Sequence, residues 1–390
     1  MNIVLGLSSS IACYKSAELV RRWAREGHGV RVIMTAHATR FIQPLTLGIL
    51  SGHEVHLDLF PEGRTVVDHV ALSHWAQGLV VAPATANVLG KFAHGIADDF
   101  LSTFFLANRN PCVVAPAMNH YMWNSPAVRE NLKILEGRGV QVVPPQPGEL
   151  ACGERGEGRM AELEDIAEAA LAAFWPERPF SGKRVIVSAG PTVEELDPVR
   201  YLSNHSSGKM GYALARAARL LGADATLITG PTALRPPFGV RVVRIRTGAE
   251  LKAALLKSCA RADLLLMAAA VCDFVPARAP KKLRRRGRLD LSLAAAPDIV
   301  AAVKKATGVF TVAFAAETAA PVKHARAKRK AKGVDAMVVN DVSRADIGFG
   351  SDDNEAVLLL GAGEYPFPKQ SKTDLALALL KAVAAHGKLA

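Results

Sequence analysis

Short apolar runs alternate with helical patterns through the first 174 residues. Amphipathic segments such as SAELVRRWAREG fall between the runs. A strand–helix alternation of this kind places helices over both faces of a parallel sheet, so this half predicts an α/β domain. The predicted strands are 2–6, 29–35, 78–84, 111–117 and 140–145.

The alternation restarts after a break at residues 175–182, which hold two prolines and a Ser-Gly pair and predict a linker. A chain of 390 residues is long enough for two hydrophobic cores. We therefore expect one domain at 1–174 and a second α/β domain at 183–390. The strands predicted there are 183–190, 224–230, 241–247, 262–271, 311–317, 335–341 and 355–360.

Composition narrows the class of protein. Half of the residues are hydrophobic and 22% are charged, which excludes a disordered chain. No apolar run reaches the roughly 18 residues of a membrane span, and the start MNIVLGLSSS predicts a strand rather than a signal peptide. We expect a cytoplasmic protein with no membrane partner. The scattered cysteines predict neither a disulfide framework nor a zinc site; they are Cys13, Cys112, Cys152, Cys259 and Cys272.

Positive charge is concentrated in the second half of the chain. Of the 48 lysines and arginines, 33 lie in residues 181–390, beside 18 of the 36 acidic residues. The excess gathers in two runs, RAPKKLRRRGR (278–288) and KHARAKRKAK (323–332). Each run alone is most often a solvated face, but two of them in one domain favour a site for an anionic ligand. A nucleic-acid surface is an alternative, although the runs contain no aromatic residues for base stacking.

Small polar residues follow the strands of the first half. In open α/β sheets a ligand binds at the carboxyl ends of the strands, where residues 6–11, Thr35, 83–87 and 116–119 would meet. Together they predict a mononucleotide pocket, with a phosphate at a helix N-terminus. His69 and Cys152 are candidates for a base and an acid. The ordinary alternatives are a surface histidine and a small buried thiol, but Cys152 lies in a Gly-rich segment, 148–159, which predicts a flexible flap.

Three motifs of this half resemble those of flavin-dependent cysteine decarboxylases: PATAN (83–87), PAMNHYMW (116–123) and ACGERGEGRM (151–160). The resemblance implies a flavodoxin-like domain in which FMN oxidises a cysteinyl group to a thioaldehyde that loses CO₂. By motif position His69 would be the catalytic base, Asn119 would hold the substrate carboxylate with Met122 nearby, and Cys152 would donate a proton. The implied FMN contacts are Ser8, Ser9, Ser10, Thr35, Pro83, Ala84, Thr85 and Asn87. Where Ser9 and Ser10 stand, family members usually have two glycines.

Residues 200–223 look like a phosphate loop followed by an amphipathic helix. The stretch Ser207-Gly208-Lys209-Met210 nevertheless lacks both the upstream glycine and the hydroxyl of a P-loop, and G-x-G-x-x-G is absent as well. The wider segment 188–211 instead resembles the phosphopantothenate–cysteine ligase domain that many bacteria fuse to the decarboxylase. Further matches follow in order: AAAVCDF (268–274), KKLRR (281–285), PDIV (297–300), FAAET (314–318), KHARAKRKAKG (323–333) and NDVS (340–343).

This second resemblance implies a Rossmann-like domain that activates 4′-phosphopantothenate with CTP and Mg²⁺ or Mn²⁺, giving an acyl-cytidylate that cysteine attacks. Arg200 and Asn204 would contact phosphopantothenate and the acyl intermediate, and Lys282 would be catalytic. The implied CTP contacts are Asp273, Lys282, Pro297, Asp298, Ile299, Val300, Phe314, Lys328 and Lys332. The family usually has lysines after Lys282, whereas this chain continues Leu283-Arg284-Arg285-Arg286.

The partners implied are therefore small-molecule substrates and, by family resemblance, copies of the chain itself. Decarboxylase domains of the family form trimers, ligase domains form dimers, and the whole can form a dodecamer. Two other functions fit parts of the pattern. One is an FMN-binding regulatory protein of the phosphatase-inhibitor type, and the other is a decarboxylase of a different cysteinyl substrate.

Overall fold

The structure is a computed structural model and describes residues 1–60, 68–151, 153–284, 287, 289–317, 321–341, 343–344, 346–348 and 350–386. It divides into two compact units, Met1–Pro176 and Glu177–Ala390. The boundary between the units falls inside the predicted linker 175–182. Among the described residues, no helix has the length and apolar character needed to cross a membrane.

The first unit is a five-stranded parallel sheet with helices. Its strand order is β2-β1-β3-β4-β5, and β6 and β7 form a separate antiparallel hairpin. The strands are β1 (Asn2–Leu7), β2 (Gly29–Met34), β3 (Gly78–Ala84), β4 (Cys112–Pro116), β5 (Gln141–Val142), β6 (Gln146–Glu149) and β7 (Arg155–Arg159). The helices are α1 (Cys13–Arg25), α2 (Pro44–Ser51), α3 (Asp68–Trp75), α4 (Ala86–His94), α5 (Phe100–Ala107), α6 (His120–Asn124), α7 (Pro126–Gly137) and α8 (Leu163–Phe174), with a 3₁₀ turn at Ala36–Arg40.

Burial on both faces explains why these strands are continuous apolar runs. Every residue of β3 is buried, as expected for the central strand of a covered parallel sheet. Helix α8 packs tightly over the start of β3, because a Cβ atom on Gly78 would lie 2.1 Å from the Phe174 ring. Residues 148–151 and 153–159 belong to the β6–β7 hairpin, so the predicted flap has a regular structure, and its flexibility stays a prediction. Strand β5 is shorter than predicted because prolines follow it and cannot donate to a sheet.

The second unit contains a mixed sheet of eight strands in the order β12-β11-β8-β13-β16-β17-β18-β19. Its strands are β8 (Arg184–Ala189), β9 (Val193–Glu195), β10 (Tyr201–Ser203), β11 (Asp224–Thr229), β12 (Arg241–Arg244), β13 (Leu264–Met267), β14 (Phe274–Pro276), β15 (Leu293–Ala295), β16 (Phe310–Glu317), β17 (Ala336–Asp341), β18 (Asp353–Leu360) and β19 (Gly363–Ser371). The helices are α9 (Lys209–Leu220), α10 (Gly248–Cys259), α11 (Ile299–Thr307), α12 (Pro321–Lys332) and α13 (Lys372–Ala385).

The first six strands in this order, from β12 through β11, β8, β13 and β16 to β17, are parallel. Strands β18 and β19 are antiparallel additions at one edge. Two short antiparallel pairs, β9–β10 and β14–β15, stand apart from the sheet. The parallel strands were predicted, whereas β19 and both short pairs were not. The carboxyl ends of β8, β13 and β16 open on one edge, which is where a ligand of an α/β sheet is expected.

Candidate active sites

A cavity of about 850 Å³ lies at the carboxyl edge of the first sheet. Its size is within the range of cofactor and small-molecule sites. The structure brings six of the predicted residues into its lining: Ser9, Ser10, Thr85, Asn87, Asn119 and Met122. These residues follow β1, β3 and β4, so the parallel sheet itself gathers them.

Ser8 has a different place from its neighbours. It is 1% exposed, and its hydroxyl donates to the Pro83 carbonyl at 2.8 Å and accepts from the Thr85 amide at 2.9 Å. The hydroxyl therefore ties the end of β1 to the end of β3 behind the cavity. Three further predicted FMN contacts, Thr35, Pro83 and Ala84, also lie outside the cavity lining; Pro83 and Ala84 are buried, and the Thr35 amide donates to Leu7.

The cavity has the features of an anion site. Helices α1 and α4 both begin at it, and neither has an acidic residue in its first turn or a side-chain cap from its N-cap residue, Ala12 or Thr85. The unpaired N–H groups and the helix dipoles at such ends favour a phosphate. The Thr85 hydroxyl oxygen is buried with no hydrogen-bond partner among the described residues, so a ligand in the cavity could supply one. Lys15, on α1, adds a cation to the lining. The residues present thus fit a flavin mononucleotide.

Asn119 is fixed by the backbone on one side and meets a carboxylate on the other. It caps α6, where its Oδ1 accepts from the Tyr121 amide at 2.8 Å, and its Nδ2 donates to Glu154 Oε2 at 3.0 Å. Because the cap fixes Oδ1, the amide NH₂ is directed at an acceptor. This orientation suits the predicted contact to a substrate carboxylate, and in this structure Glu154 of the β6–β7 turn supplies the carboxylate.

The hairpin forms one wall of the cavity by packing against the loop after β4. The Met118 amide donates to the Gly158 carbonyl at 3.0 Å, and a Cβ atom on Gly158 would lie 2.1 Å from the Met118 carbonyl oxygen. The indole of Trp123 donates to Glu157 at 3.3 Å. Glycine is therefore required at 158 so that the two backbones can approach each other.

His69 does not join this group in the described structure. His69, near the start of α3, is half-buried, packs edge-on against Phe100 with ring centroids 6.3 Å apart, and is not part of the cavity lining. Its Nδ1 is buried without a hydrogen-bond partner among the described residues. Cys152 lies outside the described residues. The predicted roles of both residues stay predictions.

Sequence reasoning missed part of the cavity wall. The cavity is also lined by Tyr14 and Lys15 on α1, by Phe41 after the 3₁₀ turn, and by Arg159 on β7. A signal existed for α1, because positions 14 and 15 lie one turn after the serine-rich loop and so face the same opening. No comparable pattern marked the contribution of Phe41.

The remaining cysteines are buried thiols. Burial raises the pKa of Cys13 and of Cys112, and it raises the pKa of Cys259 to about 12. Burial also raises the pKa of Cys272, although a hydrogen bond to Thr192 opposes the effect. A buried thiol of raised pKa stays protonated and is a poor nucleophile.

In the second unit, two of the predicted CTP residues, Asp298 and Lys332, contact each other, and a third, Lys328, pairs with a carboxylate at the end of β16. Lys332 of α12 pairs with Asp298 at 2.6 Å, and Lys328, one turn earlier, pairs with Glu317 at the end of β16 at 2.6 Å. Asp298 also caps α11 by accepting from the Ala301 amide at 3.0 Å. Burial alone would raise the pKa of Asp298, but the Lys332 ammonium and the helix N–H groups hold it below its ordinary value.

The other nucleotide candidates divide into exposed and core positions. Asp273 and Pro297 are exposed, and Phe314 on β16 is half-buried. The side chain of Ile299 is 6% exposed and belongs to the core of this unit, with Val300 packed against it. Any contact from Ile299 to a nucleotide would therefore come from its backbone at the start of α11.

The segment 200–211 is built for close packing and for polar contacts rather than as a triphosphate cradle. Gly208 has φ +79° at the N-cap of α9, and a Cβ atom there would lie 2.8 Å from Thr232. Lys209 donates to the Gly350 carbonyl and to Asp352, both at 2.7 Å. Asn204 is exposed and donates to the Val271 carbonyl at 2.9 Å. The lysine of this segment thus holds a loop.

Arg200 contacts the backbone of Leu283, the residue after Lys282. The Arg200 guanidinium donates to the Leu283 carbonyl at 3.0 Å and to Asp197 at 3.0 Å, and Lys282 is exposed beside this contact. No group of three or more His, Cys, Asp or Glu side chains that could hold a metal ion occurs in the part of the chain that the structure describes. Mg²⁺ in nucleotide sites usually takes one or two carboxylates together with phosphate oxygens.

Two family profiles match the chain, one in each half. The Flavoprotein profile matches residues 1–174, and the profile of the DNA/pantothenate metabolism flavoprotein C-terminal domain matches residues 180–386. Fold, cavity and profiles together define an α/β flavoprotein domain followed by a pantothenate-metabolism domain.

Curated relatives give the particular family. The coenzyme A biosynthesis bifunctional protein CoaBC of Vibrio cholerae is 42% identical over 97% of this chain and 96% of its own length. CoaBC of Bacillus subtilis is 41% identical over 99% and 97%, and that of Escherichia coli K12 is 41% identical over 97% and 95%. The chain therefore belongs to the CoaBC family of bifunctional coenzyme A biosynthesis proteins.

Solved structures similar to each half include the C-terminal domain of a CoaBC protein, at 30% identity and a TM-score of 0.47, covering 54% of this chain and 98% of that one. A PPC decarboxylase mutant complexed with pantothenoylaminoethenethiol is 33% identical with a TM-score of 0.40, covering 43% of this chain and 95% of that one.

Proposed function

We propose that the chain performs two successive steps of coenzyme A biosynthesis. The second unit ligates 4′-phosphopantothenate to L-cysteine with CTP, and the first unit decarboxylates the resulting 4′-phosphopantothenoylcysteine to 4′-phosphopantetheine with FMN. The observation that carries the proposal is full-length similarity to bifunctional relatives, in which both halves match in one chain. A regulatory flavin-binding protein would not need the second half.

In the first unit, the backbone N–H groups at the starts of α1 and α4 would bind the FMN phosphate, with Ser9, Ser10 and Thr85 beside it. When bound, FMN supplies the oxidation that makes loss of CO₂ possible and the reduction that follows that loss. The Asn119 amide would orient the substrate carboxylate, because its cap leaves the NH₂ facing an acceptor. His69 would take a proton, and Cys152 would return one.

In the second unit, cations and donors would act on the charge that develops when the carboxylate attacks CTP. Lys282, Lys328 and Lys332 would bind the triphosphate with a divalent ion, which is Mg²⁺ or Mn²⁺. For Lys328 and Lys332 the nucleotide phosphates would replace the carboxylates of Glu317 and Asp298 as partners. Arg200 and Asn204 would hold the acyl substrate. Both are exposed; Arg200 donates to the carbonyl of Leu283, the residue after Lys282, and Asn204 donates to the Val271 carbonyl.

The test supplies phosphopantothenate, cysteine, CTP and Mg²⁺ to the full chain and measures pyrophosphate and CO₂ separately. We expect Cys152→Ser to release pyrophosphate at the normal rate and little CO₂. Lys282→Gln should release little pyrophosphate, but it should release CO₂ at the normal rate when phosphopantothenoylcysteine is added directly. Loss of both reactions in either folded variant would contradict the assignment of one reaction to each unit.

Colour provides an independent check of the first unit. The purified protein should be yellow, and denaturation should release FMN. A colourless protein that does not take up added FMN would count against the decarboxylase and leave the ligase untouched.

We also propose that the chain is a homo-oligomer. Large apolar side chains are exposed on the first unit, among them Leu45 and Ile49, each 72% exposed on one face of α2. Exposed apolar groups of this kind often mark an interface. Light scattering of the purified protein would give its mass, and a monomer at micromolar concentration would contradict the proposal.

A further inference from the structure

A buried carboxylate, that of Asp197, joins the two loops that carry the predicted ligase residues. Its Oδ1 accepts from the amides of Val199 at 2.7 Å and Arg200 at 2.8 Å. Its Oδ2 accepts from the Arg200 guanidinium and from the Leu283 amide, both at 3.0 Å. Three of these donors belong to one loop, and the fourth, Leu283, lies 83 residues beyond Arg200.

The arrangement leaves this carboxylate no capacity for a ligand. An ionised carboxylate has about four acceptor sites, and each Asp197 oxygen already accepts two hydrogen bonds. The Asp197 side chain is 0% exposed, whereas that of Arg200 is 44% exposed. Asp197 is therefore placed neither to coordinate Mg²⁺ nor to contact a substrate. It instead binds Arg200, a predicted substrate contact, and the amide that follows Lys282, a predicted CTP contact.

The carboxylate is also held in its charged form. Burial would raise the pKa of Asp197, but the N–H groups of Leu283, Val199 and Arg200 and the Arg200 guanidinium hold the pKa below its ordinary value. A buried charge is tolerated when hydrogen bonds satisfy it, and removal of the charge leaves its donors unpaired. The hydrogen bond from the Leu283 amide therefore goes to a charged acceptor, whereas the neighbouring residues 281, 282 and 284 are exposed.

Other hydrogen bonds also attach the second loop to the first near Lys282. The Ala279 amide donates to the Leu196 carbonyl at 2.8 Å, and the Arg200 guanidinium donates to the Leu283 carbonyl at 3.0 Å. Together with the Asp197 contact, these bonds set the position of 279–283 against 196–200. Lys282 lies inside this stretch, one residue from the amide that Asp197 accepts.

We infer that Asp197 is a positioning residue for ligation. It fixes the Lys282 loop against the Arg200 loop, so that Lys282 can reach the CTP triphosphate while Arg200 contacts the acyl substrate. The inference rests on the proposed ligase function. Asp197 acts on CTP only through Lys282. Loss of the negative charge of Asp197 should therefore weaken CTP binding when Lys282 is present. It should have little further effect on CTP binding in a protein that lacks the Lys282 ammonium.

The test measures the Kd of CTP with Mg²⁺ by calorimetry on the full chain. In Asp197→Asn, Oδ1 can still accept from the Val199 and Arg200 amides, but the new NH₂ group faces the Leu283 amide and the Arg200 guanidinium. We expect the Kd to rise about tenfold, the loss typical of one charge-assisted contact. A variant that is merely partly unfolded would lower the titration stoichiometry and leave the Kd unchanged.

Asp335→Asn is the matched control. Asp335 also accepts from a backbone amide, that of Thr311 at 2.8 Å, and from a cation, that of Lys304 at 2.5 Å, but it lies at the amino edge of the sheet. This variant should bind CTP as the wild type does. If Asp197→Asn yields no folded protein, Leu283→Pro removes the same N–H from the other side and should raise the Kd similarly.

A double-mutant cycle decides whether the effect passes through Lys282. In a Lys282→Gln background, Asp197→Asn should change the Kd by less than about threefold, because coupled residues are not additive. Fully additive effects, or a wild-type Kd in Asp197→Asn or in folded Leu283→Pro, would overturn the inference. Failure of the proposed function has a different signature, namely a wild-type protein that releases no pyrophosphate from CTP with phosphopantothenate and cysteine.

Discussion

Ser8 and Thr85 were both predicted to contact FMN, yet the structure gives their hydroxyls opposite roles. The Ser8 hydroxyl is fully paired inside the protein, and the Thr85 hydroxyl is buried and unpaired among the described residues. Ser8→Ala should therefore destabilise the protein without flavin. Thr85→Val, which keeps the shape and removes the hydroxyl, should weaken flavin binding without destabilising the apoprotein.

The magnitudes follow from the partners that each change leaves behind. Without the Ser8 hydroxyl, the Pro83 carbonyl still accepts from the Ser8 amide at 3.2 Å. The Thr85 amide loses its acceptor. An unsatisfied buried donor costs about 1–3 kcal/mol, and this one is only partly buried, so we expect the free energy of unfolding to fall by about 1 kcal/mol. The Thr85 hydroxyl would contribute about 1 kcal/mol to flavin binding, which corresponds to about a fivefold rise in the Kd of FMN.

Urea unfolding of the apoprotein and flavin fluorescence titration measure the two quantities. Ser73→Ala is the control for losing a serine hydroxyl. Among the described residues that hydroxyl donates to the Val70 carbonyl in an exposed hydrogen bond, and its loss should cost less than about 0.5 kcal/mol. Equal stability of Ser8→Ala and Ser73→Ala would refute the structural role of Ser8. A Thr85→Val protein that binds FMN with unchanged Kd would refute the role of the Thr85 hydroxyl.

Three further predictions concern other parts of the chain. Gly158→Ala should abolish decarboxylation and spare ligation, as measured by separate CO₂ and pyrophosphate assays, because its Cβ would overlap the Met118 carbonyl. The pKa of Asp298 lies below its ordinary value, so its pairing stabilises the fold above about pH 4 and is lost as the pH falls through the folded pKa. Urea unfolding at pH 7 and pH 3 should therefore show a smaller difference in Lys332→Met than in wild type. Cys259, with its pKa raised to about 12, should resist iodoacetamide at pH 8 until the protein is unfolded, as peptide mass mapping would show.

The parallel strands were predictable because strands that are buried on both faces have continuous apolar sequences. Strand β3 was predicted at its observed bounds, 78–84. The hairpin β6–β7 was missed, because its sequence QPGE…RGEGR has high polarity and several glycines. Its order is explained by tertiary contacts, among them those with Met118 and Trp123. Such a segment is held by tertiary packing that no local pattern expresses.

The candidate sites were predictable to a similar extent. Motif position and strand ends together located Ser9, Ser10, Thr85 and Asn119 in one cavity. Neither could separate Ser8, whose hydroxyl is turned into the protein, from its neighbours in the same serine run. That distinction depends on which way a side chain points, and the sequence holds no record of it.

Asn119 already holds a carboxylate, that of Glu154, at 3.0 Å. With the proposed substrate, the incoming carboxylate and Glu154 compete for one amide, and the reaction then removes the carboxylate of the competitor. The product has lost the group with which it displaced Glu154, so Glu154 can return to the amide as the product leaves. Turnover and release would thus be coupled through a single NH₂ group. Glu154→Gln, with Glu157→Gln as its control, should make 4′-phosphopantetheine a stronger inhibitor than it is of the wild type.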